Sequence, residues 1–167
     1  MGENALIAPP VRSMIRLGLC LALCAAIAGL GGRATASQIP TWYASLAKPP
    51  WTPPNFVFPL AWGILYLLIA LSLWRLWDRA VPSPARTRAL RLFVGQLVLN
   101  AIWSPIFFGL HAIWSGFAIL LAICAILAAT IFQSAKADRA SAMLLAPYFA
   151  WLCYAGALNG AILILNR

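Results

Sequence analysis

The stretch WYASLAKPPWTPPNFVFPLAW, residues 42–62, carries six aromatic side chains and five prolines and lies between long apolar runs. Proline fixes φ and removes a backbone donor, so Pro49, Pro50, Pro53 and Pro54 exclude a regular helix and favour a stiff, extended path. Rigid aromatics on such a path offer flat faces to a ligand at low entropy cost. A loop of this kind is expected to cover something. The other reading is an interfacial belt, where membrane proteins keep Trp and Tyr.

The rest of the chain supplies the membrane. Of its 167 residues 63% are hydrophobic and only 9% charged, against about 25% charged in soluble domains. Mean hydropathy is +0.88. These values predict an all-α integral membrane protein with one five-helix domain over residues 14–167, after a tail at 1–13. Five apolar runs, at 14–36, 59–77, 90–110, 113–133 and 141–165, each approach the ~20 residues that cross a bilayer as a helix. Residues 37–58 form a lid loop. Residues 78–88 form a turn in which Ser83-Pro84 resembles an N-cap and first helical position. Arg12, Arg16, the first apolar run and Ala34-Thr35-Ala36 also resemble a cleavable signal peptide. The run is longer than a usual signal core and Arg33 sits beside the site, so a retained helix is expected.

Charge is lopsided. Twelve basic and three acidic residues give a net +9. With five spans, Arg12, Arg16, Arg75, Arg79, Arg86, Arg88, Arg91, Lys136 and Arg139 share one side, and Arg33, Lys48 and Arg167 the other. The positive-inside rule then places the amino terminus in the cytoplasm and the aromatic loop outside. Basic residues at the ends of apolar runs meet lipid headgroups and make nucleic acid a poor partner. Small residues recur at i, i+4 in Gly18, Ala22 and Ala26, in Ala25 and Gly29, and in Ala118 and Ala122. They suit close helix packing, within the bundle or across a dimer seam.

Conventional catalysis finds little here. No acidic residue falls inside an expected span; Glu3 is in the tail, and Asp78 and Asp138 are expected in loops. That weakens ion-coupled transport and removes paired-carboxylate chemistry. His111, the single histidine, is expected as an interfacial polar residue in a short loop. Cys20, Cys24, Cys124 and Cys153 lack metal-site spacing and are expected as small buried hydrophobes. What the spans do offer is aromatic and sparsely polar: Trp62 and Tyr66, Asn100 and Trp103 with Gln96, and Tyr148, Trp151 and Ala155 with Asn159. Trp74, Trp77 and Trp114, at span ends, are expected in the belt. An apolar, aromatic cavity with a few polar handles would suit a large flat hydrophobe.

Three stretches carry a family likeness: WYASLAKPPWTPPNFVFPLAWGILY (42–66), QLVLNAIWSPIFF (96–108) and PYFAWLCYAGALN (147–159). With them the chain resembles the TspO/MBR family, also called translocator proteins, peripheral-type benzodiazepine receptors or tryptophan-rich sensory proteins, in order from about residue 14 to the end. The resemblance implies a five-helix bundle, commonly a homodimer, with an intramembrane cavity roofed by the first loop. It implies a membrane receptor or sensor that binds porphyrins and other tetrapyrroles, and also hydrophobic drug-like ligands. Porphyrin is then the ligand, and no cofactor is required. The alternative is a transporter of porphyrin or another hydrophobic metabolite. By motif position the ligand site would comprise Tyr43, Trp51, Trp62, Tyr66, Asn100, Trp103, Tyr148, Trp151 and Ala155. Trp62 and Trp151 fall where bacterial relatives carry the tryptophans linked to light- and oxygen-dependent porphyrin breakdown. The sterol motif of animal members is replaced by Ala157-Leu158-Asn159-Gly160-Ala161-Ile162, so cholesterol binding is not expected. The charge bias and the lack of a transit peptide suggest a bacterial cell membrane.

Overall fold

Five long helices follow the five apolar runs in the computed structural model, which describes residues 10–167. They are α1 (Pro10–Ala36), α3 (Val57–Trp74), α4 (Pro84–Ser104), α5 (Ile113–Ala137) and α6 (Arg139–Leu165), with a single short turn, α2 (Trp42–Ser45), in the lid. Counting the turns that extend α3 to Arg79 and α4 to Gly109, the spans hold 23 to 27 residues. At 1.5 Å per residue that is about 35–40 Å, enough for a hydrocarbon core about 30 Å thick. The spans close into a ring: α1 packs on α3, α3 on α6, α6 on α5, α5 on α4, and α4 back on α1. Residues 1–9 of the expected tail lie outside the described residues.

Two spans, α4 and α6, start ahead of their apolar runs where a polar side chain caps them. Ser83 (φ −159°, ψ 159°) accepts the Arg86 amide at 3.2 Å, and Pro84 takes the first helical position of α4. The helix thus starts inside the segment expected to be a turn. At α6, Asp138 Oδ1 accepts the amides of Ala140 (2.9 Å) and Ser141 (3.3 Å), while the carboxylate pairs with Arg75 at 3.0 Å. Where α3 meets α6, the Ser72 and Ser141 hydroxyls lie 2.8 Å apart. Small residues allow this close approach of two backbones.

The far ends of α3 and α4 widen into π-turns, marked by i→i+5 bonds from the Ala80 amide to Arg75 O (2.9 Å) and from the Leu110 amide to Pro105 O (3.0 Å). Each adds a residue to the turn and rotates its side chains off the helical period. The first turn overturns the expectation that Asp78 sits in a loop. Asp78 lies in the last turn of the second span, and its side chain is fully buried. Its carboxylate accepts from Ser13 Oγ (2.6 Å) and Arg16 Nη1 (3.1 Å) and lies 3.3 Å from Arg79 Nε. Trp74 Nε1 donates to Ser13 O at 3.2 Å, so α1 and α3 are laced together at this end.

Two further expectations change. Cys20 and Cys24 are buried, but Cys153 is exposed on the outside of α6. Gly18, Ala22, Ala25, Ala26 and Gly29 also face outward, so the small-residue stripe of α1 takes no part in packing this chain's own bundle.

The lid is fastened at several points. Asn166 Oδ1 accepts the Ala47 amide (3.0 Å) and its Nδ2 donates to Ala47 O (2.9 Å), tying the loop to the end of α6. Lys48 Nζ donates to the carbonyls of Tyr43 (2.6 Å), Leu46 (2.9 Å) and Ala44 (3.3 Å), satisfying a segment whose prolines preclude a ladder of its own. Tyr154 Oη donates to Trp51 O at 3.1 Å. His111, in a left-handed conformation (φ 54°), stacks on Trp42 at 4.4 Å and bonds Gln38 Oε1 at 2.9 Å.

Asp78→Ala leaves Ser13 and two guanidiniums without their shared partner, at a cost of about 2 kcal/mol once the partial exposure of the arginines is allowed for. Thermal unfolding in detergent should show a midpoint roughly 4–8 °C lower; an unchanged midpoint would remove Asp78 as a fastening point. Asn166→Ala removes two bonds to Ala47 and should speed amide exchange across residues 42–56 roughly tenfold, while α5 exchange stays unchanged. Uniform acceleration would mean that Asn166 supports the whole bundle rather than the lid.

Candidate functional site

Under the lid, the ring of helices encloses a cavity of about 430 Å³ to which all five spans contribute. Eight aromatic side chains stand on its walls. Phe58 and Trp62 come from α3, Trp103 from α4, Phe107 and Phe108 from the π-turn after it, and Trp151 from α6. Small residues of α1, Gly31, Gly32 and Thr35, make room on the remaining side, and Tyr43 closes the top from the lid. Among the described residues, no Asp, Glu, Lys, Arg or His lines it.

The aromatic rings brace one another rather than lying free. Trp103 stacks on Phe107 with centroids 5.2 Å apart and planes 9° apart, and Trp42 meets Phe107 edge-on at 5.4 Å. Trp103 Nε1 donates to Gly116 O at 3.0 Å. A Cβ at position 116 would come within 2.7 Å of the Phe107 ring, so only glycine lets α5 approach so closely. Trp62 tilts against Tyr66 (5.4 Å), and Trp151 meets Phe58 edge-on at 5.9 Å. Such pairs hold flat faces in place before any ligand arrives.

Beneath the rings runs a buried chain of hydrogen bonds. Tyr66 Oη donates to Asn100 Oδ1 (2.6 Å), Asn100 Nδ2 donates to Tyr148 Oη (2.6 Å), and Tyr148 Oη donates to Gln96 Oε1 (3.1 Å). Asn100, expected to need either another helix or a ligand, finds helices; Gln96 finds one only through Oε1, and its buried Nε2 has no partner. Two polar atoms at the cavity are different. Among the described residues, Trp151 Nε1 and Asn159 Oδ1 are buried and have no hydrogen-bond partner. One is a donor and the other an acceptor, and both belong to residues that line the cavity. Burial and then the neighbouring Tyr154 phenol raise the Tyr43 pKa above its ordinary value, so the lid presents a neutral phenol.

Of the nine residues expected at the site, Tyr43, Trp62, Tyr66, Asn100, Trp103, Trp151 and Ala155 line the cavity. Trp51 and Tyr148 do not. Trp51 is 47% exposed and packs edge-on against Tyr154 at 5.7 Å. Tyr148 has no exposed surface; it backs Trp62 at 6.1 Å and joins the hydrogen-bond chain. Sequence reasoning missed Thr35, Phe58, Phe107 and Phe108 as lining residues. The phenylalanines lie inside two of the quoted motifs, where their aromatic character was the available signal; Thr35 carried none.

The family model for TspO/MBR proteins matches residues 20–165. The chain is 40% identical to the tryptophan-rich protein TspO of Archaeoglobus fulgidus, over 84% of this chain and 90% of that protein. It is 34% identical to the tryptophan-rich sensory protein of Cereibacter sphaeroides, over 87% and 88% of the two chains. Against the translocator protein of Bos taurus the identity is 37%, over 78% of each. The matched region takes in the lid, four whole spans and the larger part of the first, and the chain belongs to the TspO/MBR family of membrane proteins.

Proposed function

We propose that this protein is a membrane receptor that binds a porphyrin in the cavity beneath its lid. The observation that carries this reading is the pair of indoles, Trp62 on α3 and Trp151 on α6, on the cavity wall with the Trp151 N–H unpartnered. Flat aromatic walls favour a flat aromatic ligand, and a buried free donor favours a ligand that carries an acceptor. The volume falls within the range of about 300–1,000 Å³ usual for small-molecule sites. An uncharged lining suits the ring system of a tetrapyrrole rather than its carboxylates, which belong at the mouth. Family membership supports the same reading.

Light- and oxygen-dependent loss of the porphyrin, with dioxygen as the oxidant, is the second element of the proposal. An indole is oxidisable, and one in contact with a macrocycle is placed to react when the macrocycle is excited. Transport gains no comparable support, since among the described residues no carboxylate lines the cavity and Asp78 is committed to ion pairs at the end of the bundle. The proposed orientation in a bacterial cell membrane follows the nine-to-three division of basic residues, with the amino terminus in the cytoplasm and the lid outside.

Titrating protoporphyrin against the detergent-solubilised protein in the dark should give saturable tryptophan quenching. Trp151→Ala should raise the Kd roughly tenfold, equivalent to about 1.4 kcal/mol. The double variant Trp62→Phe, Trp151→Phe should bind within a few-fold of the parent yet lose light-driven porphyrin breakdown. Non-saturating quenching would sink the binding reading, and undiminished breakdown in the double variant would sink the role of the indoles. For orientation, a cysteine placed at exposed Ala44 in a cysteine-free background should react with a membrane-impermeant thiol reagent in intact cells. Labelling only after lysis would invert the topology.

A further inference from the structure

We propose that the arginine-rich end of the bundle holds a site for one anionic phospholipid, with an acyl chain in a groove between α1, α3 and α4 and the phosphate on Arg16 and Arg12. The groove, of about 280 Å³, is separate from the cavity under the lid and is lined by Leu19, Cys20, Leu23, Leu73, Trp77 and Leu90. It opens on the outer surface of the helices, where Leu19 and Leu23 are 55% and 47% exposed. Along α1 it runs from Leu19 to Leu23, about 6 Å along the helix, with Arg16 three residues before it.

The groove alone selects nothing, because lipid tails are as apolar as leucine. Selection comes from its rim. The Arg16 guanidinium lies 5.4 Å from the centroid of the Trp77 ring, which itself lines the groove, so the cation is held at the groove's end. One of its N–H groups meets Asp78 at 3.1 Å, and 34% of the side chain stays exposed, leaving donors of the planar fork for a phosphate. Asp78 cannot neutralise the rim. Its one negative charge is shared by Arg16 and Arg79 and accepts from Ser13 as well. Arg12, exposed and one turn earlier on the same helix face, adds a further positive charge. Arg86 is occupied with the carbonyls of Leu76 (2.7 Å) and Trp77 (2.6 Å), which closes the α4 side of the rim. A headgroup with a net negative charge satisfies this excess. A zwitterionic one brings its own cation into a field that repels it.

Native mass spectrometry of the full chain in mild detergent, offered equal phosphatidylglycerol and phosphatidylcholine of identical chains, tests the site. The parent should retain one phosphatidylglycerol in preference to phosphatidylcholine. Arg12→Gln, which leaves the Asp78 cluster intact, should lower that retention roughly fivefold, the weight of one basic residue near an anionic surface. Leu23→Trp, which fills the groove without changing charge, should lower it similarly. Lys136→Gln with Arg139→Gln removes two charges from the same end of the bundle, on α5 and α6, and should leave retention within twofold. Equal retention of both lipids overturns the site, as does retention that follows total charge or ignores Leu23→Trp.

Discussion

One side-chain amide, that of Asn100, holds three of the five spans in register. It accepts from Tyr66 of α3 and donates to Tyr148 of α6, both at 2.6 Å, while standing on α4. In a bilayer the apolar surfaces of helices gain little by leaving lipid, so packing and buried hydrogen bonds carry the specificity of association. A bond across helices also fixes rotation, since each partner must present one particular face. The aromatic walls follow from that. With Tyr66 turned onto Asn100, Trp62 one turn away on α3 faces the space above it. With Tyr148 turned onto the same amide, Trp151 meets that space from α6.

The π-turns complete the arrangement at both ends. After α4 the extra residue carries Phe107 and Phe108 beneath the lid, where they form a second apolar cluster with Tyr43, Leu158 and Ile162. After α3 the same device turns Asp78 inward onto α1. Neither result is available to an α-helix continuing at 3.6 residues per turn. Both turns sit where a span must stop and its last side chains are still needed inside.

Hydropathy made the five spans legible, and Ser83-Pro84 read as an N-cap and first helical position although the third span was expected to begin only at residue 90. Helix ends were less legible because capping residues such as Asp138 are polar and read as loop. Asp78 was misplaced for the same reason: a carboxylate after an apolar run looks solvated until its partners, 62 and 65 residues earlier, are known. At the site, motif position did well wherever a residue's role depends on its own helix face. It failed for Tyr148, which is three residues from Trp151 and therefore about 60° round the helix. That rotation is enough to put one ring on the cavity wall and the other behind it. Trp51 failed differently, because a proline-stiffened loop has no period from which to tell its inner from its outer face.

The two ends of the bundle answer opposite electrostatic problems. Under the lid, no formal charge among the described residues lines the cavity, and the buried polar atoms left without a partner there are an indole N–H and an amide oxygen. A charged group there would favour water or a counterion over a flat hydrophobe. At the other end two carboxylates are already spent: Asp78 on Arg16 and Arg79, and Asp138 on Arg75. The remaining guanidinium donors face the headgroup region, where anionic lipid can meet them. The Asn100 chain separates the two regions, with Tyr66 and Asn100 on the cavity and Tyr148 and Gln96 fully behind it. A ligand that presses on Tyr66 therefore loads this hydrogen-bonded layer before it can reach the arginines. The constraint that fixes the cavity also insulates it from the membrane surface on the far side.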